Sequence, residues 1–324
     1  MKNLLTSIGK KSKSAVINKL SSKEKDKVLK DYYHLINKNR KFIINENKKD
    51  IRKANKKKIK NNLIQRLVLD EEKISSIINS IKTIIKLKDP TNIILEKWRR
   101  PNGLKISKIS IPIGVIGVIY ESRPNVTSDV ASLCFKSGNA VILKGGSEAF
   151  YSNKILAKLF RQSLQKNGLN KNFVQFINIK NRKVVDFLLT QMNKFIDVII
   201  PRGGKHLVKK VQELSTVPTI GHLEGICHSY VDKDANPRFA EKIILNAKLR
   251  NTAICGATET ILLHEKIIKK IGNQILKSLE NNGCKIIGDN KIKKFYDEKI
   301  KKASFKDWSK EYLAPIVSVK SVKN

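Results

Sequence analysis

The sequence predicts an α/β fold built around a parallel sheet, and the segment 111–148 is the first reason. It reads IPIGVIGVIYESRPNVTSDVASLCFKSGNAVILKGGSE. Its first part is an apolar run typical of a buried strand, and residues 140–143 form a second such run. Between the two runs, apolar residues recur with helical spacing. The recurring positions are Val126, Val130, Leu133 and Cys134. A strand, a helix and a strand this close together form a βαβ unit, whose strands are parallel.

The second reason is that helices and strands keep alternating after this unit. The predicted elements are a helix over 149–169, a strand over 173–177, a helix over 183–192, a strand over 197–200 and a helix from about Lys205. Ligands of parallel sheets bind at the carboxyl ends of the strands, where Asn125 and Lys144 fall. Gly203 and Gly204 separate the last strand from its helix. The pair favours an anion at the helix N terminus, or it is a plain tight turn, and the glycines alone do not decide between the two.

Residues before this α/β region predict helices and then a hairpin. Apolar positions with helical spacing run from about residue 5 to Pro90, and the Lys- and Asn-rich block 48–60 is predicted to be an exposed helix face. Residues 98–109 alternate around an Asn-Gly pair, which is the signal of a β-hairpin. Such a hairpin is expected to act as an arm that pairs with another subunit.

After residue 217 the sequence predicts a second α/β segment. Its elements are a strand over 229–231, a helix over 238–249, a loop of small residues over 251–256 and a strand over 260–263.

Composition excludes several classes of protein. The chain has 324 residues and a formal net charge of +38, which by itself favours a polyanion partner. Its lysines are spread along the whole chain with an excess of Ile and Asn, which is typical of an AT-rich coding sequence, so we expect no nucleic-acid partner. No membrane span or secretory signal is predicted. Four cysteines and five histidines without paired spacing predict neither disulfides nor a metal site, and they favour a reducing compartment.

Cys255 is the best candidate for a nucleophile. It lies in a loop of small residues directly after a helix that ends in Lys248 and Arg250, and nearby cations favour a thiolate. The alternative is that Cys255 is a buried small hydrophobic residue, which is the usual state of a free cysteine. That alternative suits Cys134, on an apolar helix face, and Cys284, at the start of an apolar strand. Cys227 is ambiguous.

Motifs along most of the chain resemble those of one enzyme family. The most specific is PIGVIGVIYESRPNVTSDVASLCFKSGNAVILKGGSE at 112–148. The others are IIPRGG at 199–204, HLEGICHSYVD at 222–232, NAK at 246–248, the C-x-x-x-E-T pattern at 255–260 and EYLAPIVSV at 311–319. From about Leu63 to its end, the chain resembles the γ-glutamyl phosphate reductases, the glutamate-5-semialdehyde dehydrogenases of proline biosynthesis.

The resemblance implies the aldehyde dehydrogenase-like fold, with a Rossmann-like cofactor domain and an α/β catalytic domain. It implies an oxidoreductase that reduces L-glutamyl 5-phosphate with NADPH, giving L-glutamate 5-semialdehyde, phosphate and NADP. In that reaction Cys255 attacks the acyl phosphate, phosphate leaves, and hydride from the nicotinamide reduces the resulting thioester. The expected partner is therefore the small-molecule substrate L-glutamyl 5-phosphate. We also expect a functional link to glutamate 5-kinase, a cytoplasmic location and a homo-oligomer.

The resemblance also implies roles for individual residues. Cys255 is the implied nucleophile, and its backbone N–H and the Asn125 side chain are implied to stabilise the oxyanion. The residues implied to bind NADP are Lys144 at the adenosine ribose, Gly203 and Gly204 near the pyrophosphate or nicotinamide, and Glu311 at the nicotinamide ribose.

Two arginines and one histidine complete the implied site. Arg123 and Arg202 are the expected partners of the substrate carboxylate or phosphate, through bidentate hydrogen bonds. His222 stands near the place of the general base that hydrolysing relatives use. A reductase needs no deacylating water, so His222 is given no catalytic role.

The chain departs from the family pattern in two places. The segment around Cys255 reads NTAICGATET, where the family usually has proline and serine before the cysteine and asparagine after it. The chain also stops at Asn324, soon after the Glu311 motif, so we expect a C-terminally truncated catalytic domain. The alternative to an active reductase is therefore an inactive or fragmentary remnant of this enzyme. The predicted domains are an N-terminal helical part of the cofactor domain over 1–97, a hairpin arm over 98–110, a Rossmann-like NADP-binding domain over 111–217 and an incomplete catalytic domain over 218–324.

Overall fold

The computed structural model of the protein describes residues 1–17, 19–59, 61–181, 183–221, 224–297 and 299–323. The chain divides into two compact units, Met1–Gly221 and His222–Asn324. The predicted boundary between the two main domains, at 217–218, lies a few residues before this division. Within the described part of the chain, no helix combines the length and the apolar character needed to cross a bilayer.

The described residues before the first strand are mostly helical, as the apolar periodicity predicts. The helices are α1 Lys2–Val16, α2 Ser22–Lys38, α3 Arg40–Lys56, α4 Asn61–Leu67 and α5 Glu71–Lys86. A capping box begins α2, because Ser21 and Glu24 each accept the other's backbone N–H. The side chain of Asp70 caps α5 by accepting the backbone N–H of Lys73 at 2.8 Å. Local capping signals in the sequence therefore fix where two of these helices begin.

The hairpin predicted from the Asn-Gly pair is confirmed. Its strands are β1 Ile94–Arg99 and β2 Lys105–Ile109, which pair antiparallel. The turn contains Gly103 with φ of 88°, a conformation that glycine adopts without strain. The hairpin begins at Ile94, inside the range 1–97 that was expected to be helical. Its apolar side chains stay partly open to solvent, Trp98 at 43% for example, and its role as an arm stays a prediction.

A four-stranded parallel sheet forms the centre of the unit Met1–Gly221. Its strands are β3 Val115–Tyr120, β4 Ala140–Gly145, β5 Val174–Phe176 and β6 Val198–Arg202, in the order β5-β4-β3-β6. The helices that connect and follow them are α6 Asn125–Lys136, α7 Phe150–Lys166, α8 Lys183–Gln191 and α9 Lys205–Leu214. Every residue of β3 and β4 is buried, which is why both segments are continuous apolar runs in the sequence. The predicted βαβ unit, β3-α6-β4, is confirmed.

The buried face of α6 differs from the predicted apolar stripe at one position. Leu133, which the periodicity placed in the core, is 47% exposed. Val126 and Cys134 are buried as predicted, and Ala131 and Phe135, which lie outside the stripe, are buried as well. Because α6 packs against both α5 and α7, its buried face is wider than the stripe and is rotated away from Leu133.

A five-stranded parallel sheet forms the centre of the unit His222–Asn324. Its strands are β7 Cys227–Val231, β8 Thr258–His264, β9 Lys285–Gly288, β10 Lys301–Lys302 and β11 Ile316–Val322, in the order β10-β9-β11-β8-β7. Its helices are α10 Pro237–Leu249, α11 Asn273–Asn281 and α12 Asn290–Phe295. Short helical turns over both units are Ser147–Ala149, Lys171–Phe173, Glu265–Ile267, Ile268–Gly272 and Phe305–Ser309. This second unit has an apolar core of its own around Ile261, Leu276 and Val317.

Candidate active site

The connection between β3 and α6 brings two predicted site residues to the carboxyl edge of the first sheet. β3 ends at Tyr120 and α6 begins at Asn125, so Arg123 lies in the short turn between them. Arg123 and Asn125 both line a cavity of about 480 Å³. Charged and hydrogen-bonding side chains from three helices also line this cavity. They are Arg66, Lys73, Ser80 and Asp129.

Asn125 is hydrogen-bonded to the half-buried carboxylate of Asp129. Its Nδ2 donates to Oδ2 of Asp129 at 3.0 Å, and the Ser80 hydroxyl donates to Oδ1 of Asp129 at 2.9 Å. Burial raises the pKa of Asp129, and these two hydrogen bonds act against that rise. One N–H of the side chain expected to stabilise an oxyanion is therefore engaged with Asp129. No pattern in the sequence singles out Asp129, which is simply a polar position on a helix.

Positive charges gather around Arg123 without compensation. Burial lowers the pKa of Arg123, and the charges of Arg66 and Arg202 lower it further. Among the described residues, none of these three guanidinium groups has an ion-pair partner. The charge of Arg202 thus acts on Arg123, the other arginine predicted to bind substrate, and Arg66, which the sequence did not single out, lines the same cavity as Arg123.

Lys144 lies at the carboxyl end of β4, where the sequence placed it. Its side chain is 6% exposed, and Nζ donates to the carbonyl oxygen of Gly145 at 2.9 Å. Burial lowers the pKa of Lys144, and the carboxylate of Glu148 opposes that change. The expected contact of Lys144 with an adenosine ribose stays a prediction.

The glycine pair at the start of α9 accommodates a carboxylate from the chain itself. Gly204 caps α9, and its N–H donates to Oε2 of Glu121 at 2.9 Å. A Cβ added to Gly203 would lie 2.5 Å from the same oxygen. The two glycines therefore form a tight turn against Glu121. The expected approach of a cofactor pyrophosphate to Gly203 and Gly204 stays a prediction, and it requires Glu121 to leave this N–H.

A second group of cations surrounds Tyr151 near the carboxyl ends of β4 and β5. Lys53 donates to the Tyr151 hydroxyl, and this hydrogen bond and charge lower the pKa of Tyr151. The ammonium groups of Lys49, Lys53 and Lys180 lie 5.7, 4.3 and 5.2 Å from the ring centre. A cavity of about 460 Å³ lies beside the ring, and the α3 residues Lys49, Arg52, Lys53 and Lys56 line it. The block 48–60, interpreted from sequence as an exposed helix face, thus also supplies a cationic cavity.

Cys255 lies in the second unit, in the turn between α10 and β8, and it is exposed. The backbone of Gly225 packs against it. A Cβ added to Gly225 would lie 2.6 Å from the carbonyl oxygen of Cys255 and 3.0 Å from its Cβ. The N–H of Gly225 donates to Oε1 of Glu311 at 3.3 Å. Gly225 thereby brings two predicted site residues, Cys255 and Glu311, to one place.

The other three cysteines divide as the sequence suggested. Cys134 and Cys284 are buried, and burial raises their pKa to about 12 and about 11. Cys227, which the sequence left ambiguous, lies beside the candidate nucleophile and donates from Sγ to the Cys255 carbonyl oxygen at 3.3 Å. Of the four thiols, Cys255 is the most exposed.

Lys248 does not play the part that its position in the sequence suggested. Its side chain is fully buried and Nζ donates to Oε2 of Glu259 at 2.7 Å. The other oxygen of Glu259 accepts the N–H of Leu313 at 3.2 Å, two residues after Glu311. The charge of Lys248 is therefore matched by a carboxylate and is not directed at Cys255. The motifs NAK and C-x-x-x-E-T hold the Glu311 segment in place.

The last two sequence expectations concern His222 and metal binding. His222, which was given no catalytic role, lies outside the described residues. Among the residues that the structure does describe, no three His, Cys, Asp or Glu side chains are grouped as metal ligands.

Comparison with known proteins identifies the family. A model of the aldehyde dehydrogenase family matches residues 9–285. The γ-glutamyl phosphate reductase of Nautilia profundicola is 44% identical over 324 residues, which are 100% of this chain and 78% of that protein. The γ-glutamyl phosphate reductase of Bartonella tribocorum is 44% identical over 265 residues, which are 82% of this chain and 64% of that protein. The chain thus spans about two thirds to four fifths of the length of these relatives.

Solved structures agree with the sequence comparison. The crystal structure of γ-glutamyl phosphate reductase from Thermotoga maritima superposes with a TM-score of 0.94 at 35% identity, covering 99% of this chain and 77% of that one. A probable aldehyde dehydrogenase from Listeria monocytogenes shares the fold, with a TM-score of 0.64 at 15% identity over 99% of this chain and 76% of that one. The resemblance and the fold predicted from sequence are confirmed. The chain belongs to the aldehyde dehydrogenase family, and within it to the γ-glutamyl phosphate reductases.

Proposed function

We propose that this chain reduces L-glutamyl 5-phosphate with NADPH to L-glutamate 5-semialdehyde and phosphate, as a step of proline biosynthesis. The observation that carries the proposal is the exposed thiol of Cys255. The backbone of Gly225 packs closely against the turn that holds Cys255, and the N–H of Gly225 donates to Glu311. A thiol that only fills a core would be buried like Cys134.

In the proposed reaction Cys255 works as a covalent nucleophile. Its thiolate attacks the acyl carbon, a C–S bond forms, and phosphate leaves with the electron pair of the broken C–O bond. NADPH, when bound, supplies the hydride that reduces the thioester. The resulting oxyanion then collapses, the C–S bond breaks, and Cys255 is restored as the aldehyde departs. A thiolate suits this sequence because it is a good nucleophile toward an acyl phosphate and a good leaving group afterwards.

An oxyanion develops twice on the carbon that Cys255 attacks, so fixed hydrogen-bond donors contribute most of the electrostatic stabilisation. We assign this work to the Asn125 side chain and the Cys255 backbone N–H. Support comes from the hydrogen bond that Asn125 makes to Asp129, which uses one N–H of the amide and leaves the other to donate.

The residues of the first unit fit a phosphorylated dinucleotide. We assign Lys144 to the adenosine ribose, Gly203 and Gly204 to the pyrophosphate or nicotinamide, and, in the second unit, Glu311 to the nicotinamide ribose. The cations around Tyr151 support NADPH over NADH, because this cavity near the carboxyl ends of β4 and β5 suits a phosphate group.

The anionic groups of the substrate are assigned to Arg123 and Arg202, whose guanidinium groups lack an ion-pair partner in the described part of the chain. The acyl phosphate hydrolyses readily in water, which favours a functional link to the glutamate 5-kinase that supplies it. The free thiols of the chain favour the reducing cytoplasm, and we expect a homo-oligomer.

The reverse reaction tests the proposal on the purified chain. Reduction of NADP is followed with glutamate 5-semialdehyde, with and without phosphate, for the wild type, Cys255→Ala and Cys227→Ala. The proposal expects phosphate-dependent turnover that Cys255→Ala abolishes and Cys227→Ala largely keeps. Equal turnover with and without phosphate would contradict an acyl phosphate as the substrate. Absence of turnover from folded wild-type protein contradicts activity in this chain and favours the remnant.

A further inference from the structure

We propose that the cavity containing Arg66, Arg123 and Asp129, called here the head-group pocket, binds the α-carboxylate and the α-ammonium group of the amino-acid substrate. The inference rests on the proposed function and deepens it, because it assigns the end of the substrate that is remote from the acyl phosphate. The volume of the pocket, about 480 Å³, leaves ample room for the head group of one amino acid.

The carboxylate side of the pocket is formed by Arg66 and Arg123. Both residues line the same cavity, and neither guanidinium group forms an ion pair with an acidic side chain in the described ranges. Arg123 is half-buried and Arg66 is exposed; burial, and after it the neighbouring charge of Arg66, lower the pKa of Arg123. A carboxylate placed between two guanidinium groups would accept hydrogen bonds from both and would remove the repulsion.

The ammonium side of the pocket is Asp129. Its two oxygens accept one hydrogen bond each, from the Ser80 hydroxyl and the Asn125 amide. A carboxylate has about four acceptor positions, so each oxygen can accept one bond more. In the part of the chain that the structure describes, no Lys, Arg or His pairs with Asp129. Asp129 is half-buried, so its ionised carboxylate is partly desolvated without a cation beside it, and an ammonium group in the pocket would supply the missing charge.

The combination of charges selects the class of ligand. A phosphate or a simple carboxylate would gain from the arginines but would face Asp129, and an amine alone would face the arginines. A zwitterionic α-amino acid matches both signs at once. Lys73, the other cation of the wall, already donates from Nζ to the carbonyl oxygen of Gln65 at 2.8 Å. The pocket therefore recognises an α-amino acid rather than an unsubstituted aldehyde or acyl phosphate.

Binding to the purified chain of 324 residues tests the inference without requiring turnover. Three probes differ by one group each: L-glutamine, 4-carbamoylbutanoate, which lacks the amine, and 4-aminobutanamide, which lacks the carboxylate. Titration calorimetry or ligand-observed NMR should find L-glutamine at least about tenfold tighter than either truncated probe, since a charge-assisted hydrogen bond contributes a factor of this size. Equal binding of the three probes, or no binding of L-glutamine, overturns the inference.

Two variants separate the two sides of the pocket. Asp129→Asn should remove the preference for L-glutamine over 4-carbamoylbutanoate and keep its preference over 4-aminobutanamide. Arg66→Gln should remove the preference for L-glutamine over 4-aminobutanamide and keep its preference over 4-carbamoylbutanoate. The control is Glu72→Gln, which neutralises an exposed carboxylate of α5 outside the pocket and should change neither preference. Loss of both preferences in either variant would mean that the pocket has collapsed, and it would contradict separate recognition of the two groups.

A kinetic comparison distinguishes recognition from an effect on Asn125. Glutamate 5-semialdehyde and 5-oxopentanoate carry the same reacting aldehyde, but the second lacks the amine. Asp129→Asn should lower the ratio of kcat/KM for the first over the second by about 10- to 100-fold. If Asp129 acts only by positioning Asn125, both values fall together and the ratio stays constant, which overturns the inference. If neither aldehyde is oxidised, the proposed function fails and the binding measurements still decide about the pocket.

Discussion

Gly225 and Cys255 approach each other so closely that the first position has no space for a side chain. A Cβ on Gly225 would lie 2.6 Å from the Cys255 carbonyl oxygen and 3.0 Å from the Cys255 Cβ. The same glycine donates its N–H to Glu311 at 3.3 Å. One backbone position thus sets the location of the candidate nucleophile relative to a candidate cofactor ligand.

Gly225→Ala should therefore displace the Cys255 turn and lower kcat/KM by about 100-fold, since a misplacement of about 1 Å at a reacting group costs that much. The measurement is the rate of NADP reduction with glutamate 5-semialdehyde and phosphate, beside a melting curve. Gly256→Ala is the matched control. Its Cβ would meet no atom within 4 Å and its φ is not left-handed, so activity should persist. Equal activity losses in the two variants would contradict the importance of this contact.

Thiol exposure predicts which cysteines react. Iodoacetamide at pH 8 should label Cys255 first and Cys227 more slowly in the native chain, with peptide mass mapping as the measurement. Cys134 and Cys284 should stay unlabelled until the chain is unfolded, because they are buried and burial raises their pKa to about 12 and about 11. Native labelling of Cys134 at the rate of Cys255 would contradict the described packing of α6.

The sheets were predictable where the environment of a strand dictates its composition. Both faces of β3 and β4 are buried, so their sequences carry continuous apolar runs, and the Asn-Gly pair specifies the turn between β1 and β2. The exposed Leu133 was not predictable, because a helix stripe does not show how many neighbours pack against it. Local patterns thus predicted elements better than they predicted their surroundings.

The site was predictable only where a residue type is itself unusual. Cys255 stands out as a thiol in a loop, and the resemblance supplied Asn125 and Lys144. Glu121 and Asp129 were missed because their meaning comes from contacts distant in sequence. Glu121 reaches the N–H of Gly204, and Asp129 binds the Ser80 hydroxyl on another helix. Neither spacing nor composition encodes such contacts.

The buried pair Lys248–Glu259 should be important for the stability of the second unit. Lys248→Met leaves Glu259 buried without a cation and should cost about 3–5 kcal/mol of unfolding free energy. The chain has two tryptophans, so a Trp98→Phe background leaves Trp308 as a reporter of this unit in urea titrations. Lys248→Met combined with Glu259→Gln removes both charges and should recover most of the loss. No difference between the single and the double variant would contradict a buried ion pair.

Asp129 should lower the stability of the free protein at neutral pH. Burial raises its folded-state pKa above the unfolded value of about 3.9, so the fold favours the protonated carboxyl group. The stability gained from that preference is present below the unfolded pKa and is lost as pH rises through the folded pKa. At pH 7 the ionised carboxylate therefore carries a net burial penalty, which the hydrogen bonds from Ser80 and Asn125 offset only in part.

Asp129→Asn removes that penalty and should raise the melting temperature of the free chain at pH 7, with roughly 2–4 °C for each kcal/mol in a unit of this size. The gain should shrink as pH falls toward 4, where the wild-type carboxyl group becomes protonated. Scanning calorimetry from pH 4 to 8 measures the difference in melting temperature between variant and wild type. The control is Glu72→Gln, which neutralises an exposed carboxylate and should change the melting temperature little. A less stable Asp129→Asn at pH 7 would mean that the hydrogen bonds from Ser80 and Asn125 outweigh burial. If Asp129→Asn is more stable but discriminates poorly between substrates with and without the amine, the charge of Asp129 is retained for binding at a cost in stability.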